Sequence, residues 1–148
     1  VVIGLIAIIA AISIPLLLSF VRSQRTQGAA RELVALLNQA RQLAITRNTS
    51  FSLEVEITPQ DRLRFCSGTA TPCPGGTVWI GAGTDTNGWM RLAERNRILL
   101  GPTITFSALG SAINAGRLRV QDAQGTSCLD VVVSVSGRIR TETALGCP

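Results

Sequence analysis

The sequence contains no histidine and no tyrosine, and because lysine is also absent, all 14 of its basic residues are arginines. Without histidine the chain lacks the commonest general base and the commonest metal ligand of proteins. Its serines and cysteines therefore have no imidazole that could activate them as nucleophiles. We expect no enzymatic activity, no metal site and no cofactor.

Charge is absent from residues 1–21, where only Gly4, Ser13, Pro15 and Ser19 interrupt an apolar run. As a helix this segment would span about 30 Å, the hydrocarbon thickness of a bilayer. A secretory signal peptide would instead need a charged start, a shorter apolar core and a cleavage site with small residues. We therefore predict a single transmembrane span that also forms a filament core, with a kink or a locally melted turn at Pro15.

The helical pattern continues after this segment, although the chain now carries charged residues. Apolar side chains recur at helical spacing, at Ala29, Leu33, Leu36, Leu37, Ala40, Leu43 and Ala44. The polar residues 48–50 then interrupt the pattern. The sequence predicts one helix that runs from the membrane into the domain, with residues 22–50 as its amphipathic half.

Beyond residue 50 the apolar residues recur with a period of two, first without error in residues 51–57. Further short strands are predicted at residues 63–66, 77–82, 97–100, 103–107, 117–121, 128–135 and 138–141. Joints rich in Gly, Pro, Asn and Asp separate them. One joint, residues 85–88, resembles the start of a calcium loop but lacks the later ligands, and it is predicted as a turn. The fold class is α+β: a long N-terminal helix packed on one small antiparallel β-sheet domain, residues 51–148.

The four cysteines lie in the predicted β domain, and an even number there is typical of an oxidising compartment. Four cysteines allow three pairings. Proximity in the sequence favours a Cys66–Cys73 bridge and a Cys128–Cys147 bridge. A zinc site would need closely spaced cysteine pairs or histidine. We therefore predict two disulfides.

Three segments carry a resemblance to a known family. Residues 1–15 resemble the N-terminal helix of type IV pilins and type II secretion pseudopilins, with a proline at the matching place; the Phe and Glu of that pattern would precede Val1. Residues 104–110, Ile-Thr-Phe-Ser-Ala-Leu-Gly, resemble the F-x-x-x-G segment of the branch that includes FimT, FimU and the GspH-type pseudopilins. Residues 131–140, Val-Val-Val-Ser-Val-Ser-Gly-Arg-Ile-Arg, resemble its V-S-x-x-G-R-x-R ending.

The resemblance implies a pilin-like fold and a minor pilin. Such a protein would sit in the inner membrane by one helix, with its domain in the periplasm, and would then enter an extracellular pilus beside other pilin subunits. In the FimT-like branch, the G-R-x-R ending implies non-specific binding of double-stranded DNA during natural transformation, here through Gly137, Arg138 and Arg140. The alternative is a structural minor pilin or type II secretion pseudopilin that primes or caps the fibre without a ligand.

The arginine motif has a physical interpretation of its own. Alternate residues of an extended strand project from one face, with Cα atoms about 6.5 Å apart, so two guanidinium forks could each bind a phosphate. Gly137 would permit a sharp turn and the close approach of a polyanion. Arg117 and Arg119 repeat the arrangement and would extend it into one basic strip if the two strands meet.

These arginines could instead be solvated strand faces, or they could pair with nearby acidic residues such as Glu54, Glu56 and Glu142. The charge map distinguishes the two functions. Clustering of the four arginines on one exposed face favours DNA binding, whereas neutralisation by acidic neighbours favours the structural role.

Overall fold

One long helix and eight strands make up the part of the chain that the computed structural model describes, which is residues 2–58, 61–69, 73, 77–93 and 96–147, with side chains at 18 and from 20 onward. Helix α1 spans Val2–Thr46. The strands are β1 Phe51–Glu56, β2 Arg62–Ser67, β3 Arg97–Leu100, β4 Ile104–Phe106, β5 Ala112–Asn114, β6 Gly116–Gln121, β7 Cys128–Val133 and β8 Ile139–Thr143.

Helix α1 continues through Pro15 without interruption. A melted turn there is therefore excluded, whereas the kink stays a prediction. The predicted membrane span, residues 1–21, falls almost entirely on side chains outside the described part of the chain. Within the described part, no helix is both long enough and apolar enough to cross a bilayer.

The second half of α1 packs on the β domain through a stripe of small and branched apolar residues. The fully or almost fully buried members are Ala29, Ala30, Leu33, Leu37, Ala40 and Ala44. The four alanines allow the strands to approach the helix backbone closely, and each buried leucine contributes about 2 kcal/mol. This stripe agrees with the predicted one, and the helix ends one residue before Arg47.

The strands form two antiparallel sheets of four strands each in the described chain, a division that the predicted antiparallel β-sheet domain did not specify. The first sheet has the order β2-β1-β4-β5, and the second has the order β3-β6-β7-β8. The chain leaves the second sheet at Gly101 and Pro102 and returns to it at Gly116. Pro102 has no N–H for a ladder, and its ring occupies the space that a Cβ on Gly116 would need.

Seven of the eight predicted strands are present, with shifts of one or two residues at most ends. The strand predicted at 77–82 is wrong, because Val78 makes only an isolated bridge to Cys66. The ring of Trp79 lies where a Cβ on Gly81 would be, so the chain bends there. Strand β5 was not predicted, since its three residues are too few for a recognisable alternation.

Two turns that carry the motif glycines contact each other. Gly110 donates its N–H to Ser107 and Gly137 donates its N–H to Ser134, both at 2.8 Å, and both glycines have φ near +80°. A Cβ on Gly137 would overlap the carbonyl oxygen of Gly110. The space beside the buried Gly137 is thus filled by Gly110, and not left open for a polyanion.

The cysteines pair as the sequence predicts: Cys66 with Cys73 and Cys128 with Cys147, each with a Cα–Cα distance of 5.8 Å. Glu54 lies close to the first bridge, and the three residues could be taken for a metal-binding group. The sulfurs of Cys66 and Cys73 are bonded to each other, however, so neither offers the thiolate that a zinc ion needs. The bridge is therefore structural.

Replacing Gly137 by alanine should lower the free energy of unfolding by about 3 kcal/mol, because left-handed strain adds to a backbone clash. Gly83→Ala is the matched control, since Gly83 has φ +83° and open space around it; it should cost about 1 kcal/mol. Denaturant unfolding followed by the fluorescence of Trp79 and Trp89 measures both. Equal losses in the two variants would contradict the glycine contact.

Candidate nucleic-acid interface

The two Arg-x-Arg motifs meet on one face of the second sheet. Arg119 lies opposite Asp130, which lies opposite Glu142. Two residues further along the strands, Arg117 lies opposite Val132, which lies opposite Arg140. Directly opposed residues of neighbouring strands share a face. Arg117, Arg119 and Arg140 therefore share one face, and Asp130 and Glu142 lie between them.

Asp130 is the fixed centre of this face. Its side chain is 0% exposed and accepts hydrogen bonds from Arg119 Nε at 2.7 Å, Arg119 Nη2 at 3.0 Å and Arg117 Nη1 at 3.0 Å. The hydrogen bond from Arg119 holds the pKa of Asp130 below its usual value, against the opposing effect of burial. The same hydrogen bond raises the pKa of Arg119. Asp130 thus fixes the positions of two arginines.

Sequence reasoning considered Glu54, Glu56 and Glu142 as partners and missed Asp130. The available signal was a single carboxylate in the otherwise apolar strand β7, Cys-Leu-Asp-Val-Val-Val. A buried carboxylate needs cationic or hydrogen-bonding partners. Glu54 and Glu56 lie in the first sheet and pair there with Arg64 and Arg62.

The outer strand β8 carries the more accessible arginines. Arg140 Nε donates to Glu142 Oε1 at 2.8 Å, while its side chain remains 56% exposed. Glu142 also lies 3.6 Å from Arg117 Nη2. Arg138, just before β8, is exposed and has no ion-pair partner among the described residues. Three of the four arginines share Asp130 and Glu142, so this face keeps a positive charge.

The tryptophans are not free stacking platforms in the described structure. Trp89 lies against the guanidinium groups of Arg62 and Arg64, 4.1 and 4.3 Å from the ring centroid. Trp79 meets Phe65 edge to face with centroids 5.5 Å apart. Base stacking is therefore not a feature of this surface, and phosphate contacts remain the available chemistry.

The chain belongs to the GspH family. The family model for the type II transport protein GspH matches residues 29–137, which is most of the sequence. The match ends at Gly137, so Arg138 and Arg140 lie beyond it. A comparison with curated protein sequences gives no significant match.

Solved structures with a similar fold include two minor fibre subunits. The minor pseudopilin EpsH from the type 2 secretion system of Vibrio cholerae has a TM-score of 0.60 and 17% identity, covering 80% of this chain and 97% of that one. The type IV minor pilin FimU of Pseudomonas aeruginosa has a TM-score of 0.58 and 21% identity, covering 87% and 96% respectively. At these identities the similarity establishes the pilin-like fold.

Asp130→Asn should lower the free energy of unfolding at pH 7 by about 2 kcal/mol, because the charged hydrogen bonds to the arginines are lost. A lowered pKa means that this contribution is fully present above the unfolded-state pKa of about 4. Below that pH the stabilising contribution of Asp130 declines, and it is lost once the pH has fallen through the lower folded-state pKa. The difference between wild type and variant should therefore shrink only in strong acid.

Denaturant unfolding across an acidic pH series measures this difference. The pKa of Asp122 is also lowered, because hydrogen bonds from Ser127 and Thr126 outweigh its burial, but Asp122 is the same in both proteins. Glu56→Gln, which breaks a half-exposed pair, should cost under about 1 kcal/mol. A pH-independent difference for Asp130→Asn would show that its carboxylate does not carry the effect.

Proposed function

We propose that this chain is a minor pilin that binds double-stranded DNA without sequence preference. Its N-terminal helix anchors it in the inner membrane before assembly and contacts other pilin subunits afterwards. Its β domain is first periplasmic and then lies on an extracellular pilus, where it holds DNA for uptake. Membership of the GspH family supports the fibre role, and the charge distribution supports the DNA role.

The fibre role is supported by the exposed apolar side chains that precede the domain-packed part of α1, among those that the structure describes. Leu18 and Phe20 are 51% and 61% exposed, and the first buried side chain among those described is Thr26. A helix of 45 residues is about 70 Å long, so much of it extends past the domain. Exposed apolar side chains on such a helix are stabilised by lipid or by neighbouring helices.

The DNA role rests on one observation, the exposed pair Arg138 and Arg140 at the start of the outer strand β8. Arg117 and Arg119 are held by Asp130, and a phosphate would have to compete with that buried carboxylate. We therefore assign the main phosphate contacts to Arg138 and Arg140, with Arg117 and Arg119 as weaker helpers.

A structural minor pilin or pseudopilin without a ligand is the second candidate. It is favoured by the acidic residues in the strip, since Asp130 and Glu142 pair with three of the four arginines. In that case the ion pairs would only tie β6, β7 and β8 together, and the domain would serve to prime or cap the fibre.

The variant Arg138→Ala/Arg140→Ala separates the two candidates. The affinity of the full chain for a short DNA duplex is measured in neutral detergent. If three phosphates are bound, the logarithm of the affinity should fall with the logarithm of the salt concentration with a slope of about −3. The double variant should flatten this slope to about −1. Fluorescence anisotropy over a salt series measures both slopes.

Arg47→Ala/Arg97→Ala is the control, because it removes the same charge from exposed positions away from β8. It should leave the slope nearly unchanged. Unfolding curves of all proteins should agree within about 1 kcal/mol, since exposed arginines contribute little to stability. If the Arg138→Ala/Arg140→Ala protein binds as tightly as wild type at the same slope, the structural role becomes the better explanation.

A further inference from the structure

A cleft of about 280 Å³ separates helix α1 from strand β8. Arg31 and Val34 line it on the helix side, and Ile139, Arg140 and Thr141 line it on the strand side. The two guanidinium groups thus come from different elements, more than 100 positions apart in sequence. The cleft brings Arg31 to the arginine motif, although no sequence pattern connects them.

Arg31 is available to a ligand. It is exposed, and it has no ion pair or hydrogen bond among the described residues. Glu142 lines a neighbouring cleft of about 240 Å³ together with Arg31, but its carboxylate accepts from Arg140. A cation without a partner beside a second, half-exposed cation attracts an anion more strongly than either does alone.

The walls of the cleft suit a phosphodiester. Val34 and Ile139 are half-buried and apolar, which reduces the competition of water for the arginine donors. Thr141 adds an exposed hydroxyl donor. Strand β8 is the edge of its sheet, so its outward backbone N–H groups have no strand partner in the described structure. Guanidinium forks, a hydroxyl and free N–H groups are the donors that bind DNA backbone phosphates.

We propose that this cleft is the phosphate-binding site of the DNA interface and that Arg31 of the helix is one of its contacts. The inference rests on the proposed function. It places the DNA backbone along the seam between α1 and β8. Arg31, Arg138 and Arg140 then supply the three phosphate contacts.

Arg31→Ala in the full chain should weaken binding of the DNA duplex roughly fivefold at low salt and flatten the salt slope by about 0.9. Arg31→Lys should recover part of the affinity, because the charge remains while the fork is lost. Arg47→Ala is the matched control, since it removes the same charge from the position just after the same helix, about 24 Å away. It should leave the slope unchanged.

The outcomes separate this inference from the proposed function. If wild type does not bind the duplex, both are overturned. If wild type binds and Arg138→Ala/Arg140→Ala does not, but Arg31→Ala binds like wild type, only the cleft is overturned. Equal losses of DNA affinity in Arg31→Ala and Arg47→Ala would show that the effect comes from net charge alone, which would also overturn the cleft. Arg31-dependent binding to phosphatidylglycerol vesicles, without an effect on the duplex, would assign the cleft to lipid headgroups instead.

Discussion

The close contact between Gly110 and Gly137 determines where the outer strand begins. The two sheets share no strand among the described residues, and a hydrogen bond of 3.0 Å from Ala112 N–H to the Val135 carbonyl joins them beside this contact. Arg41 of the helix lies next to both glycines. Helix, first sheet and second sheet therefore meet at one point, and β8 leaves that point with Arg138 in solvent.

The distribution of charge on the second sheet follows from a second constraint, the burial of Asp130. A carboxylate without solvent must be neutralised, and in this structure it takes both arginines of β6 for that purpose. The arginines that remain accessible are those at the margin, on β8 and on the facing helix. The sheet face that carries both Arg-x-Arg motifs is thus partly neutralised, and its remaining positive charge lies at its edge.

Local patterns in the sequence predicted the helix, most of the strands and both disulfides, because periodicity and cysteine spacing act over short distances. The meeting of the strands that carry the two arginine pairs entered the sequence analysis only as a condition. The division into two sheets, the role of Asp130 and the position of Arg31 could not be predicted, since each depends on residues far apart in sequence. Gly137 shows this difference between local and distant properties. Its positive φ is local, whereas the carbonyl oxygen that fills its Cβ position belongs to Gly110, in the turn between β4 and β5.

The central claim is that DNA phosphates bind along the seam between α1 and β8. Backbone amide shifts of the isotope-labelled full chain in micelles, recorded during addition of a short DNA duplex, test it most directly. The account predicts salt-sensitive shift changes for residues 138–142 and for the helix around Arg31, with none in the loop around Trp89. Changes centred on Trp89 and Arg62, or no changes in β8, would contradict it.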